Sequence, residues 1–192
     1  MAEAAPASRT DHLTVVGIVA SPHGGGSTAA AVQAFLDGCA AAGAETRLFD
    51  LSQVGNRDAV LRVVERSAGV VFGSPTYRAT HTSLLGDFLE QIERGGSSES
   101  SAPLRGKVTA VVMTAAAPEH FLATERLHFI LSSFFAAQVL SPSLFFARSA
   151  FGADGALTEE ADERARLHGH ALVDLAVACR ASKHIGALTP LV

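Results

Sequence analysis

Apolar residues recur along the chain in two alternating patterns, short unbroken β-branched runs and longer stretches at helical spacing. Residues 14–20 (TVVGIVA) are apolar on both faces, as a strand buried in the middle of a parallel sheet must be. From 27 to 42 the period lengthens: Ala30, Ala31, Ala34, Phe35 and Cys39 fall at helical spacing, and Gly43 supplies a stop. The alternation continues with a strand at Glu45–Asp50, a short helix at 57–67 and a buried strand at 69–73 (GVVFG). A third helix is predicted at 83–94, with Leu84, Leu85, Phe88, Leu89 and Ile92 on one face, followed by a Gly/Ser-rich mobile connection at 95–102. A fourth strand spans 107–114 (KVTAVVMT), and a long helix runs from 119 to 137 behind Pro118. A short fifth strand at 143–147 and a last helix at 158–182, opened by Thr158, complete the set.

Five strands alternating with five helices predict an α/β domain, a parallel sheet with helices on both faces and right-handed crossovers. That count fits the five-stranded order 2-1-3-4-5 of the flavodoxin-like three-layer α/β/α fold better than the six-stranded dinucleotide order. In the five-stranded order the loops after the first, third and fourth strands meet at the switch point, so they form one site. The domain is placed at 13–182, with a disordered N-terminal segment at 1–12 and a C-terminal tail at 183–192.

Composition narrows the function. A length of 192 residues with 48% hydrophobic content suits one α/β core. A formal charge of −4 without any basic run argues against nucleic acid as a partner. The first residues lack the apolar segment of a signal peptide, and no stretch approaches a membrane span, so a cytoplasmic protein without membrane contact is expected. Cys39 and Cys179 fall in separate helices with no CxxC spacing and read as small buried hydrophobes. The helix at 119–137 carries Phe121, Leu122, Leu127, Phe129, Ile130, Leu131, Phe134 and Phe135, more than one apolar stripe. A second face on that helix predicts a homodimer or homotetramer, with cover by the loop from Gly95 or by the chain end as the alternative. His168 and His170 are two apart on a helix and point different ways, so no metal site is predicted.

The candidate chemistry starts at 21–28 (SPHGGGST), between a buried strand and a helix start. Gly24, Gly25 and Gly26 let the backbone approach an anion, Ser21, Ser27 and Thr28 offer hydroxyls, and the helix points its free N–H groups at the same spot; His23 is either a solvated loop histidine or a partial positive charge there. Residues 24–29 also match GxGxxA, with Asp50 where a ribose-binding acid would stand, but Ser21, Pro22 and His23 separate the glycines from their strand. A triphosphate loop requires a lysine that is absent here. A terminal phosphomonoester suits the loop best. The second constellation, 73–83 (GSPTYRATHTS), leaves the third strand: Pro75 sets a turn, Thr76 follows it, Tyr77 offers a flat ring as the single tyrosine of the chain, and Arg78 a cation. The third is the fourth strand's exit, 114–120 (TAAAPEH), with Thr114, Ala115 and Ala116.

These three segments together resemble the NADPH-dependent FMN reductase family of the flavodoxin-like fold, over residues 13–181. The third segment and the Ala136-Ala137-Gln138 turn are similar to the reductase components of two-component alkanesulfonate-type monooxygenases. The resemblance implies FMN and NADPH or NADH as cofactors, with hydride passing from nicotinamide to flavin and no acid, base or nucleophile required of the protein. It implies that 21–28 holds the phosphate, that Pro75, Thr76, Tyr77 and Arg78 support one side of the ring, and that Thr114, Ala115 and Ala116 lie at its other edge. Reduced flavin would pass to a partner monooxygenase; a flavin-retaining quinone or azo reductase and an electron carrier are the alternatives. The chain departs from the pattern twice, with Ala115-Ala116 in place of a glycine pair and Arg126 in place of a tyrosine.

Overall fold

Strand β1 (Thr14–Val19) lies between two parallel neighbours in the computed structural model, which describes residues 13–190. Val15, Val16, Ile18 and Val19 are all fully buried, so both faces of this β-branched run meet an apolar layer. The sheet runs β2 (Glu45–Asp50), β1, β3 (Gly69–Pro75), β4 (Val108–Ala115) and then an edge position, every pairing being parallel. This is the expected flavodoxin-like order. The edge is shared by two short strands: β5 (Gln138–Val139) pairs with the start of β4 and β6 (Leu144–Ala147) with its end. The strand expected at 143–147 is β6. β5, only two residues long, carries no period of its own, and so the count rises to six without a change of order.

Helices α1 (Gly26–Ala41), α2 (Arg57–Arg66), α3 (Ser83–Leu89), α4 (Ala123–Phe129) and α5 (Glu159–Ala181) cover the sheet. One core packs α1 and α5 on one face, and a second packs α2, α3 and α4 on the other. Where α1 crosses α5 the two backbones touch: a Cβ on Gly38 would come 2.1 Å from the Arg166 carbonyl oxygen, and one on Gly169 would come 2.2 Å from that of Phe35. Cys39 Sγ donates to the Gly169 carbonyl at 3.4 Å, and burial pushes its thiol up to about 12, which makes it a packing group. Arg166 fastens the crossing from outside, with Nε 2.6 Å from Asp162 and Nη2 3.0 Å from Asp37.

The sequence pattern overran two helices. α3 stops at Leu89. The helix expected at 119–137 is three pieces: a 3-10 turn at Pro118–His120, α4, and a π turn at Ile130–Phe134. Ser132 Oγ donates to the His128 carbonyl at 2.9 Å, the Phe135 N–H reaches five residues back to Ile130, and Ala136 takes a positive φ of 51° that ends the run. Apolar spacing persists through this break, so the pattern could not show it. The connection at 95–102, expected to be loose, is laced by two carboxylates: Glu99 accepts from the Arg94 and Gly96 N–H groups, and Glu93 from Ser100 and Ser101.

Phe121, Leu122 and Phe129 on and before α4 are 57%, 63% and 61% exposed, while Leu127 and Leu131 are buried. Arg94 covers part of this face, its guanidinium 4.3 Å from the Phe134 ring centre. Among the described residues no helix is long and apolar enough to cross a membrane. The segment 1–12, expected above to be disordered, and residues 191–192 of the expected tail lie outside the described residues.

Gly169→Ala forces a methyl into the α1 backbone. It is expected to cost about 3 kcal/mol in urea unfolding, whereas Gly186→Ala, whose new methyl meets nothing within 4 Å, is expected to stay within about 0.5 kcal/mol of the parent protein.

Candidate functional site

The loop after β1 reverses direction on three successive glycines. Gly24, Gly25 and Gly26 have φ of 68°, 54° and 70°, a conformation that side chains resist, so the triplet is required by the backbone path. A Cβ on Gly25 or Gly26 would meet nothing within 4 Å; the space in front of them is open. Gly25 caps α1 without any side-chain hydrogen bond, which leaves the first N–H groups of that helix directed at the same opening. Asp50, at the end of β2, fastens the loop: Oδ2 accepts from the Gly25 N–H at 2.9 Å, and Oδ1 accepts from Ser52 N and Oγ at 3.0 and 2.7 Å. Burial raises the Asp50 carboxyl, but the hydrogen bonds from Ser52 and Gly25 outweigh it and bring it below the ordinary value. Asp50 thereby ties the Gly25 turn to the turn at Ser52 that follows β2.

The first turn of α1 is held beneath the ends of two strands. Thr28 and Thr114 share a buried 2.7 Å hydrogen bond between hydroxyls. A Cβ on Gly73 would come 2.3 Å from Val32 Cγ2 and 3.3 Å from Thr28 Cγ2, so only a glycine lets α1 approach β3 this closely.

The segment after β3 is anchored by residues the sequence reading passed over. The buried Thr82 donates from Oγ1 to the Ala20 carbonyl at 2.8 Å, and its N–H donates to Ser74 Oγ at 3.0 Å. Ser74 Oγ in turn donates to the Pro75 carbonyl at 2.8 Å. The exits of β1 and β3 are therefore one hydrogen-bonded unit. Tyr77 and Thr80 close a two-residue turn through a pair of backbone bonds, with Arg78 and Ala79 at φ of 52° and 61°. Two consecutive non-glycine residues in the left-handed region are costly, and the neighbouring anchors hold them there. The Thr76 N–H donates to the Thr114 carbonyl at 2.7 Å, while Thr76 Oγ1 is buried without a partner among the described residues.

Ser21, His23, Gly24, Gly25, Gly26, Ser27, Thr28, Pro75, Thr76, Tyr77, Thr114, Ala115 and Ala116 line one cleft of about 410 Å³ at the carboxyl ends of the strands. Of the residues predicted from the sequence, Arg78 alone is outside that lining, because the left-handed turn carries it to the tip. Arg148 and Phe151, which follow β6, complete the lining; they were not anticipated. Arg126 is exposed on α4 and acts on the segment after β3 through charge: burial, with the Arg126 charge added, lowers the His81 pKa. A second cleft of about 440 Å³ lies at the amino ends of β3 and β4, around Arg66, Arg105, Lys107 and Arg180. There the Lys107 amine, brought down to about 8 by burial, caps α2 by donating to the Val64 and Glu65 carbonyls. It has neither a glycine loop nor a helix start.

The sequence matches the NADPH-dependent FMN reductase family over residues 13–152. No curated protein sequence matches this chain. Among solved structures, an oxidoreductase from Corynebacterium diphtheriae superposes with a TM-score of 0.68 at 19% identity, covering 87% of this chain and 98% of its own. The apo form of an NADH:FMN oxidoreductase (EmoB) gives 0.70 at 17%, covering 86% and 89%. The flavodiiron protein of Giardia intestinalis gives 0.71 at 24%, covering 90% of this chain and 39% of its own. At these identities the likenesses establish the flavodoxin-like fold. The family match begins at the residue before β1 and ends at the residue after Phe151, so it takes in every segment that lines the cleft, and the chain belongs to the NADPH-dependent FMN reductase family.

Proposed function

We propose that the 410 Å³ cleft is the FMN site of an NAD(P)H-dependent flavin reductase, with the phosphate at the glycine loop and the ring between Tyr77 and Ala115. The observation that carries this reading is the convergence of a positive-φ glycine triplet, an uncapped helix start and the ring of Tyr77 in one cleft. The residues fit the group. Open space stands in front of Gly25 and Gly26, and the Thr76 hydroxyl is buried without a partner among the described residues, as a donor or acceptor kept for a ligand is.

Bound FMN supplies the hydride acceptor. The chain's part is to hold and to shield. Backbone N–H groups of Gly26, Ser27 and Thr28 and the hydroxyls of Ser21 and Ser27 receive the phosphate. Pro75, Thr76 and Tyr77 form one wall, fixed by the Ser74–Thr82 bonds, and the Thr114–Ala116 exit forms the opposite edge with its methyl groups. Tyr77 is 46% exposed, so the ring end opens to solvent. That openness supports release of reduced flavin to a partner monooxygenase over retention. The exposed Phe121, Leu122 and Phe129 support a homodimer or homotetramer built on α4, and the setting we infer is cytoplasmic.

The decisive measurement is colour with turnover. A colourless protein that oxidises NADPH or NADH only when FMN is added is the expected result. A yellow protein that reduces quinone without added flavin assigns retention, and a flavin-loaded protein that oxidises neither nicotinamide leaves only an electron carrier. Thr76→Val separates binding from folding: the ligand-free variant gains about 1 kcal/mol of stability by losing an unpaired hydroxyl, while its FMN Kd rises about tenfold. A variant that loses stability, or one that keeps its FMN affinity, removes Thr76 from the site.

Asp50 adds a pH signature. Its folded pKa lies below the unfolded one, so its contribution is present above about pH 4 and is lost as pH falls through the lowered value. The Tm difference between the parent protein and Asp50→Asn is expected to be largest near about pH 7 and to shrink below about pH 4. A difference that does not change with pH removes the carboxylate from loop anchoring.

A further inference from the structure

The glycine loop must hold a phosphomonoester dianion with no lysine or arginine between Ser21 and Thr28, and Asp50 already places a carboxylate oxygen 2.9 Å from the Gly25 nitrogen. Helix N–H groups answer part of that charge. We propose that Arg148, from the far edge of the sheet, is the counter-charge for the phosphate in this cleft; the inference rests on the reading of the cleft as an FMN site.

Three observations carry it. Arg148 lines the same cleft as the glycine loop and is the one permanently charged cation in that lining, which contains no carboxylate. Its side chain makes no hydrogen bond or ion pair with any described residue, so the guanidinium is uncommitted. Its backbone, by contrast, is held on both sides. Ala147, the residue before it, pairs with Ala115 in the sheet, and the Arg148 carbonyl accepts from the Phe151 N–H at 3.1 Å. Phe151 is buried in the α1–α5 core, its ring 6.4 Å from that of Phe146 in an edge contact, and the Thr158 N–H ties the next turn to the Ala150 carbonyl. A fixed base with a free cation on the side of the sheet where α1 begins suits a bidentate grip on phosphate.

A phosphomonoester could arrive as the 5′-phosphate of FMN or as the 2′-phosphate of NADPH. The shared lining with Gly24–Gly26 favours FMN, and the two sources are separable. Flavin fluorescence titrations of the parent protein, Arg148→Gln and Arg148→Lys with FMN and with riboflavin read the phosphate directly. In Arg148→Gln the FMN Kd is expected to rise about tenfold to a hundredfold with riboflavin unchanged, and in Arg148→Lys by less. Its Tm should stay within about 2 °C, since the side chain is exposed and unpaired. Equal losses for FMN and riboflavin, or no loss for FMN, overturn the assignment. So does a rise in KM for NADPH but not NADH with FMN affinity intact, which gives Arg148 to the nicotinamide. A parent protein that binds neither flavin overturns the FMN reading itself; one that binds FMN keeps that reading whatever Arg148→Gln does.

Discussion

Thr28 and Thr114 meet hydroxyl to hydroxyl at 2.7 Å, and that buried contact forms only because Gly73 places no side chain between β3 and α1. It sets the first turn of α1 directly under the carboxyl ends of β3 and β4. Once the turn is there, the helix's free N–H groups and the exits of both strands share one opening. The glycine contact between α1 and α5 secures the same helix from behind, since two backbones in contact leave no room for α1 to slide. Close packing on both sides of α1 thus turns a general property of helix starts into a site at one place.

The electrostatics of the opening follow from how the chain supplies charge. At the loop, positive potential comes from backbone dipoles, while Asp50 trades some of it for order by occupying the Gly25 N–H. A carboxylate on the Gly25 N–H takes back part of that potential, which a cation in the lining would restore. Among the described residues, the arginine in the lining comes from the turn after β6. The sheet order makes that possible: β6 pairs with the end of β4, and the turn after it packs back toward the α1 side through Phe151.

Much of this is legible in the amino-acid sequence. The buried strand, glycine loop and helix start were visible as a change of period, and the strand count placed the three loops together. What stayed hidden depended on tertiary partners. The π turn at Ile130–Phe134 keeps the apolar spacing of a helix, so only the Ser132 and Phe135 hydrogen bonds reveal it. Ser74 and Thr82 look like ordinary small polar residues until Thr82 is seen to reach Ala20, 62 positions away. Arg78 was expected in the site from its neighbours, but a turn closed on two left-handed residues carries it to the tip. Arg148 had no motif around it. Its one signal was topological: in the order 2-1-3-4-5 the exit of the last strand lies beside that of the fourth.

The two ends of the cleft use different means, and this bears on whether flavin stays or leaves. The proposed phosphate end is built largely from backbone, with three glycines presenting N–H groups beside the hydroxyls of Ser21 and Ser27. The proposed ring end is built from side chains: Tyr77 on a strained turn, and the methyl groups of Ala115 and Ala116. Methyl groups in place of glycine remove conformations and close distance at the edge of a planar ligand, whereas an exposed tyrosine leaves the opposite face accessible. In the proposed FMN reading, the rigid loop grips the phosphate and the open, methyl-edged end meets the ring. In that reading the counter-charge at the loop and the openness of the ring end both bear on retention and release.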